Sequence, residues 1–207
     1  VFEKSRGPGG RTATRYAGEQ RFDHGAPSFR TDDPRLARWI KSWLQHGILA
    51  EWPEGSDRCV PIPGANALAA YLCSSLDDIR FGARVTGLSR PDDGQGGWVV
   101  GWASGDEERR DRFDSVVFAI PSVQASIVLR DPAPELAEQV DRASFAPRWS
   151  VMIETDRVEL EAPVIESPSA DELESIILNS SKPGRPAIDG RSAFVAHATT
   201  DFSREHL

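Results

Sequence analysis

A carboxylate and a glycine-arginine loop near the start of the chain have residue types that bind nucleotides. Glu3 ends a short apolar segment, and Gly9, Gly10 and Arg11 follow it in a loop rich in glycine, proline and serine. A carboxylate at the end of a parallel strand accepts hydrogen bonds from ribose hydroxyls. Glycines let the backbone approach a phosphate closely, and an arginine contacts phosphate in a bidentate way. Taken alone, however, these residues fit a solvated turn with a strand-end acid better than a nucleotide site.

Two histidines and a tryptophan are further candidates for a site. His24 lies in the loop segment at 22–26, where it can donate to a ligand or serve as a structural polar residue. His197 follows an apolar run, and its interpretations as a substrate contact and as a satisfied core histidine are balanced. Trp149 can stack on a flat substrate, although core packing is the commoner role of a strand tryptophan.

Residues for acid–base, nucleophilic or metal chemistry form no pattern in this sequence. Cys59 and Cys73 have neither metal-ligand spacing nor a disulfide framework. A G-x-S-x-G nucleophile elbow is absent, which argues against a hydrolase. We therefore assign no catalytic acid or base and no metal ligand.

Composition and charge restrict the class of protein. The chain has 207 residues, of which 39% are hydrophobic and 27% are charged, as in ordinary globular domains. Its net charge of −8 argues against nucleic-acid binding. No apolar run approaches the ~18 residues of a membrane-spanning helix. Two cysteines without a framework fit a reduced, cytoplasmic setting.

Hydrophobic periodicity predicts a mixture of helices and strands. The predicted helices cover 33–47, about 66–76, 122–129 and 135–142, and the predicted strands cover 1–3, 79–81, 83–88, 98–102, 115–120, 149–155 and 192–198. The apolar run at 115–120 predicts a strand buried on both faces. Acidic turn residues at 105–111 and serines at 167–169 predict loops. A change in composition places a domain boundary near 130–145.

Several segments, taken together, resemble the FAD-dependent amine-oxidase superfamily and, within it, the renalase-like oxidoreductases. They are VFEKSRGPGGRTATR at 1–15, FDHGA at 22–26, AIP at 119–121, NSSKPGRP at 179–186 and HATTDFSREHL at 197–207. Their order along the chain is that of the family. The resemblance implies that FAD is the cofactor and that a small molecule is the substrate.

The resemblance also implies residue roles. Glu3 would bind the ribose of FAD and Arg11 its pyrophosphate, while Val85 would offer its backbone to the adenine. Ala26, Pro27 and Ser28 would line the flavin, although the family commonly has glutamine and an aromatic residue after its His-Gly-Ala. His197 and Trp149 would contact the substrate.

Members of this branch are understood to oxidise off-pathway dihydronicotinamide isomers. Hydride passes to the flavin, and O₂ then reoxidises it with release of H₂O₂. Two alternatives stay open: an amine or polyene oxidoreductase of the same superfamily, and a non-catalytic binding module derived from a flavoprotein. Many amine oxidases place a lysine near the flavin, and we expect Lys4, Lys41 and Lys182 to lie in the nucleotide loop, on a helix and in a polar loop.

The implied fold class is α/β, with an incomplete Rossmann-like FAD-binding domain and an α+β substrate domain. We assign 1–35 and 58–130 to the FAD-binding domain, and 36–57 and 131–207 to the substrate domain. The chain resembles the middle of a longer protein, because neither the G-x-G-x-x-G unit nor the family's closing flavin segment occurs in it. We therefore expect residues 1–207 alone not to hold FAD. The oligomeric state is not predicted.

Overall fold

The chain folds into two units, each built from helices and strands. A computed structural model describes residues 1–30 and 32–207. The first unit comprises 1–7 and 77–146, and the second comprises 8–76 and 147–207. Segments 8–35 and 58–76 thus group with 147–207, which differs from the predicted boundaries. Which segments bind FAD and which bind the substrate stays a prediction, as does the Rossmann-like fold.

The first unit combines a parallel strand pair, an antiparallel sheet and two helices. Its elements are β1 (Phe2–Glu3), β6 (Arg80–Phe81), β7 (Arg84–Ser89), β8 (Trp98–Ser104), β9 (Glu107–Phe113), α3 (Ser122–Leu129) and α4 (Pro134–Asp141). β1 pairs in parallel with β6, whereas β7, β8 and β9 form an antiparallel meander. Leu88 and Val100 of this sheet pack against Ala125, Leu129 and Ala137 of the two helices. Burial of this apolar face stabilises the unit.

Two predictions in the first unit are wrong. The apolar run at 115–120 forms no strand, and Val117 is 90% exposed. A strand buried on both faces needs a hydrogen-bonded neighbour, and within the described residues none pairs with this run. The predicted turn at 105–111 is mostly strand β9, because β9 pairs with β8 along its whole length. Only Gly105, where φ is 59°, and Asp106 form a turn.

The strands of the second unit are β2 (Arg15–Ala17), β3 (Gln20–Phe22), β4 (Leu49–Glu51), β5 (Cys59–Pro61), β10 (Ser150–Asp156), β11 (Val164–Ser169), β12 (Leu173–Leu178) and β13 (Arg191–Ala198). The last four form an antiparallel sheet in the order β10-β13-β12-β11. The helices of this unit are α1 (Pro34–Gln45), α2 (Ala67–Cys73) and α5 (Thr200–Glu205). The central strand β13 is buried from residue 192 onward. β13 therefore forms the middle of this unit.

Local signals explain which elements of the second unit were predicted. α1 begins after Asp33, whose carboxylate accepts the backbone N–H of Arg35, and Pro34 occupies the first turn. Trp43 of this helix packs against Leu49 and Cys59, as its helical spacing predicts. The predicted loop at 167–169 is instead the end of β11. Its serines lie at a register shift between Glu166 and Ser169, which interrupts the alternating pattern.

None of the five helices in the described part of the chain is both long and apolar enough to cross a bilayer.

Candidate functional site

The loop that carries Arg11 forms a tight glycine turn. Gly10–Thr12 is one turn of 3₁₀ helix, closed by a 3.1 Å hydrogen bond from the N–H of Ala13 to the carbonyl of Gly10. Gly9 and Gly10 have φ values of 134° and 52°, which favour glycine. A Cβ on Gly10 would meet nothing within 4 Å, and Arg11 is exposed. The turn therefore presents an open backbone surface beside a cation.

This glycine turn contacts the predicted flavin-lining segment directly. The backbone N–H of Ala26 donates to the carbonyl of Arg11 at 3.1 Å. A Cβ on Gly25 would lie 2.0 Å from that same carbonyl oxygen, so only glycine fits there. Ala26 is exposed, whereas Pro27 and Ser28 are half-buried. The structure thus brings Arg11 and Ala26 together, and we call this contact the glycine joint.

A buried polar cluster lies next to the glycine joint and was missed by sequence reasoning. Its centre is Asp23, two residues before Gly25. The Nζ of Lys182 lies 3.2 Å from Oδ2 of Asp23, and the Nε of Arg185 lies 3.1 Å from it. The other carboxylate oxygen accepts the hydroxyl of Thr14 at 2.9 Å and the N–H of Ala65 at 3.0 Å. The three charged side chains are at most 1% exposed.

Further hydrogen bonds tie the buried polar cluster to the surrounding backbone. The guanidinium of Arg185 donates to the carbonyl of Pro61 at 2.6 Å. The amide of Asn179 donates to the carbonyl of Arg21 at 2.6 Å, and its oxygen accepts the N–H of Asp23 at 3.3 Å. Buried charges are tolerated when they are paired and hydrogen-bonded in this way.

The two cations and the carboxylate shift one another's proton affinities. Burial raises the pKa of Asp23, but the charges of Lys182 and Arg185 outweigh it and hold that pKa below its usual range. Burial lowers the pKa of Lys182 to about 8, although the carboxylate of Asp23 opposes this. The carboxylate is therefore ionised at neutral pH, and Lys182 is close to titrating.

Lys182 lies in a loop, as expected, but its side chain is buried. Its backbone does follow a 3₁₀ turn at Asn179–Ser181, but its ammonium group is enclosed and lies 5.3 Å from the ring centroid of Trp52. The segment around Lys182 carries no sequence signal for this environment. In the structure Phe22 packs against β13 and the next residue, Asp23, is buried, so the carboxylate of Asp23 needs a cationic partner.

His197 occupies β13 and is only 4% exposed. Its Nε2 lies 3.4 Å from the carbonyl oxygen of His24, and its Nδ1 lies 3.5 Å from the hydroxyl oxygen of Ser175. Because a carbonyl only accepts, the Nε2–H tautomer satisfies the first contact. Burial lowers the pKa of His197, so its ring is neutral at pH 7. These contacts favour a satisfied core histidine, and its role as a substrate contact stays a prediction.

His24 and Trp149 have contrasting environments. The carbonyl of His24 also accepts the hydroxyl of Ser150 at 2.8 Å, which fixes its backbone. Within the described chain, Nδ1 of His24 is buried without a hydrogen-bond partner. Trp149 is 48% exposed, so core packing does not account for its position. Its exposed indole suits stacking, which stays a prediction.

The two predicted site residues of the first unit lie on strands of two different sheets. Glu3 ends β1, and one of its carboxylate oxygens accepts the N–H of Ser5 at 2.7 Å. Its strand pairs in parallel, as the ribose-binding interpretation requires. Val85 lies on β7 opposite Trp102, beside a register shift that ends at Gly87. Its side chain packs against the core of this unit, and its contact with adenine stays a prediction.

A comparison with protein families identifies the superfamily. The model of a family described as flavin-containing amine oxidoreductase matches residues 52–187. The match covers more than half of the chain and includes Val85, Trp149, Lys182 and Arg185, whereas Glu3, Arg11, Ala26 and His197 lie outside it. On this match, the chain belongs to the family of flavin-containing amine oxidoreductases.

Proposed function

We propose that the protein is an FAD-dependent oxidoreductase of the renalase-like type, which oxidises a dihydronicotinamide-type substrate. Family membership supports a flavin-dependent oxidoreductase with a small-molecule substrate. The observation that carries the cofactor assignment is the glycine joint. There an exposed arginine, an open glycine turn and the exposed Ala26 meet through a direct backbone contact.

The residues present fit parts of FAD. At Gly10 a backbone with positive φ faces open space, so a pyrophosphate can approach it closely, and Arg11 supplies a fork-shaped cation. In the first unit, Glu3 has the carboxylate that would bind the ribose, and Val85 would offer its backbone to the adenine. When bound, FAD would supply the acceptor for a hydride from the substrate and the route for its two electrons to O₂, which with a proton from solvent would give H₂O₂.

The protein's own contribution to this reaction is orientation. Hydride transfer depends on stacking and alignment, and it needs no side chain that removes a proton. The exposed indole of Trp149 offers a flat apolar surface for a nicotinamide ring. His197, neutral and enclosed, holds the His24 carbonyl in place and moves no proton.

A second function, oxidation of an amine by the same cofactor, is favoured by one observation. Burial lowers the pKa of Lys182 to about 8, and many amine oxidases place a lysine near the flavin. The Nζ of Lys182 is however fully enclosed and paired with Asp23. This enclosure supports the dihydronicotinamide substrate over the amine. A non-catalytic binding module is the third alternative.

Oxygen consumption by the purified full-length protein separates these functions. We expect consumption of O₂ with matching release of H₂O₂ when an off-pathway dihydronicotinamide isomer is added, and none with primary or secondary amines. Turnover of amines alone would replace our proposal with amine oxidation. If the protein holds flavin but turns over neither substrate class, the non-catalytic binding module would replace our proposal.

The variant Trp149→Ala tests the stacking surface in the same assay. We expect a KM raised about tenfold, which corresponds to about 1.4 kcal/mol of lost binding, with the bound flavin retained. Trp39→Ala is the matched control, because Trp39 is an equally exposed tryptophan on α1. Equal kinetics of the two variants would remove Trp149 from the site.

A further inference from the structure

We propose that Asp23, Lys182 and Arg185 are positioning residues, which hold the glycine joint in the geometry that binds the cofactor. This inference rests on the proposed function, because it assigns the joint to FAD. None of the three side chains is exposed enough to touch a ligand. Their effect must therefore pass through the backbone that they anchor.

The buried polar cluster joins segments that are far apart in the sequence. Asp23 accepts hydrogen bonds from Thr14, from Ala65 and from the two cations, and together these groups occupy both carboxylate oxygens. Thr14 follows the end of the glycine turn at Thr12 by two residues, and Gly25 follows Asp23 by two, so Asp23 fixes both sides of the joint. Arg185 in turn holds the carbonyl of Pro61.

Close backbone contacts leave the joint little freedom to adapt. A Cβ on Gly64 would lie 2.8 Å from the hydroxyl oxygen of Thr14, and a Cβ on Gly184 would lie 2.7 Å from Cγ2 of Ile62. A Cβ on Gly25 would lie closer still to the carbonyl of Arg11. Densely packed segments move together. A displacement of Asp23 is therefore transmitted to the carbonyl of Arg11 and the N–H of Ala26.

The chemical composition of the cluster also fits a positioning role. Well-packed apolar residues stabilise a core as well as a buried ion pair does, because charges lose their hydration on burial. Directional hydrogen bonds, however, select one arrangement of the chain. Arg185 meets Asp23 with two nitrogens of its planar guanidinium, which is a directional contact that a lysine cannot reproduce.

The test compares Arg185→Lys with the control Ile177→Val. Arg185→Lys keeps the positive charge and loses the planar guanidinium, while Ile177 is a buried core residue that packs with Trp52 and Val60 and whose apolar side chain makes no hydrogen bond to the polar cluster. In the full-length protein we expect Arg185→Lys to weaken FAD binding at least tenfold and to shift the visible spectrum of the bound flavin. Ile177→Val should lower Tm by an amount comparable to Arg185→Lys, but it should leave FAD affinity and the flavin spectrum unchanged. Equal FAD affinities and spectra in the two variants would overturn the proposal.

Amide hydrogen exchange of the flavin-free protein provides a readout that does not depend on the cofactor. We expect Arg185→Lys to accelerate exchange at Ala26 and Ala13 at least tenfold, with Val195 of β13 unchanged. Unchanged exchange at Ala26 would overturn the positioning role, even if FAD affinity fell. If the wild type binds no FAD, the proposed function fails, and the exchange result alone then decides whether the cluster positions the joint.

Discussion

The two units of the molecule each contain an aspartate–arginine pair, and the pairs differ in burial. In the second unit, Asp23 and Arg185 are at most 1% exposed. In the first unit, the side chains of Arg80 and Asp111 are 32% and 36% exposed. Arg80 lies over the rings of Phe2 and Trp102, at 5.1 and 5.2 Å from their centroids. The same two residue types therefore form a buried ion pair in one unit and a partly exposed ion pair in the other.

The cause of the lowered carboxylate pKa differs between the units. The pKa of Asp111 is lowered first by the hydrogen bond from the indole of Trp102 and then by Arg80. The pKa of Asp23 is lowered against the opposing effect of burial, by Lys182 and Arg185. Water replaces a lost partner at the surface, but a buried partner that loses its counter-charge stays unpaired. We therefore attribute local sheet stabilisation to the first pair and positioning to the second.

The largest expected effect comes from neutralising the two aspartates. Asp23→Asn should lower the free energy of unfolding by about 3–5 kcal/mol, because it leaves two cations buried with no anion. Asp111→Asn should have a much smaller effect, since solvent reaches Arg80. Urea unfolding of both variants at pH 7 measures the difference. Similar losses of unfolding free energy in the two variants would show that the difference in burial does not change how much each ion pair contributes to stability.

The pH dependence of stability gives the next largest effect. Lys182 has a pKa of about 8 in the folded protein and about 10.5 when unfolded. Between these values the unfolded chain binds more protons, so stability rises with pH, by roughly 3 kcal/mol over the interval. Below pH 8 both states are protonated and this contribution is constant. The carboxylate of Asp23, whose pKa is held below its usual range by Lys182 and Arg185, stays ionised throughout this interval.

Lys182→Met isolates this contribution, because the Asp23–Arg185 pair remains. We expect the difference in unfolding free energy between the wild type and Lys182→Met to change in favour of the wild type from pH 8 to pH 10. Urea unfolding at several pH values measures it. Parallel curves for the two proteins would mean that Lys182 titrates normally.

A smaller effect is expected from adding a methyl group to one glycine in each unit. Gly25→Ala should destabilise the second unit by about 1–3 kcal/mol, because the new Cβ would collide with the carbonyl of Arg11. Gly87→Ala in β7 should change stability by less than about 0.5 kcal/mol, since nothing lies within 4 Å of its Cβ position. Thermal unfolding compares the two. A tolerated Gly25→Ala would refute the close contact at the glycine joint.

Elements with strong local signals could be predicted from the sequence, and those that depend on distant partners could not. The cap at Asp33 and the apolar period of α1 define that helix locally. The run at 115–120 has strand-forming residues, but strand formation depends on a neighbour that is absent from the described residues. The local sequence pattern therefore predicts a helix such as α1, but it does not determine which strands pair with one another.

The candidate site divides in the same way. Arg11 and Ala26 were predicted for one cofactor, and the structure joins them by a backbone hydrogen bond. The environment of Lys182 could not be predicted, because its partner Asp23 is 159 residues away in the sequence. Nothing in the segment around Lys182 indicates a buried ammonium group. Long-range pairing is the information that a single sequence lacks.

Titration of the flavin-free full-length protein with FAD tests the central claim most directly. We expect the wild type to bind one FAD, and Arg11→Ala to bind it more weakly by about 1.5–3 kcal/mol, the value of a hydrogen bond to a charged group. Arg38→Ala, which removes an exposed arginine of α1, should bind like the wild type. Failure of the wild type to bind FAD, or equal affinities of Arg11→Ala and Arg38→Ala, would contradict the account.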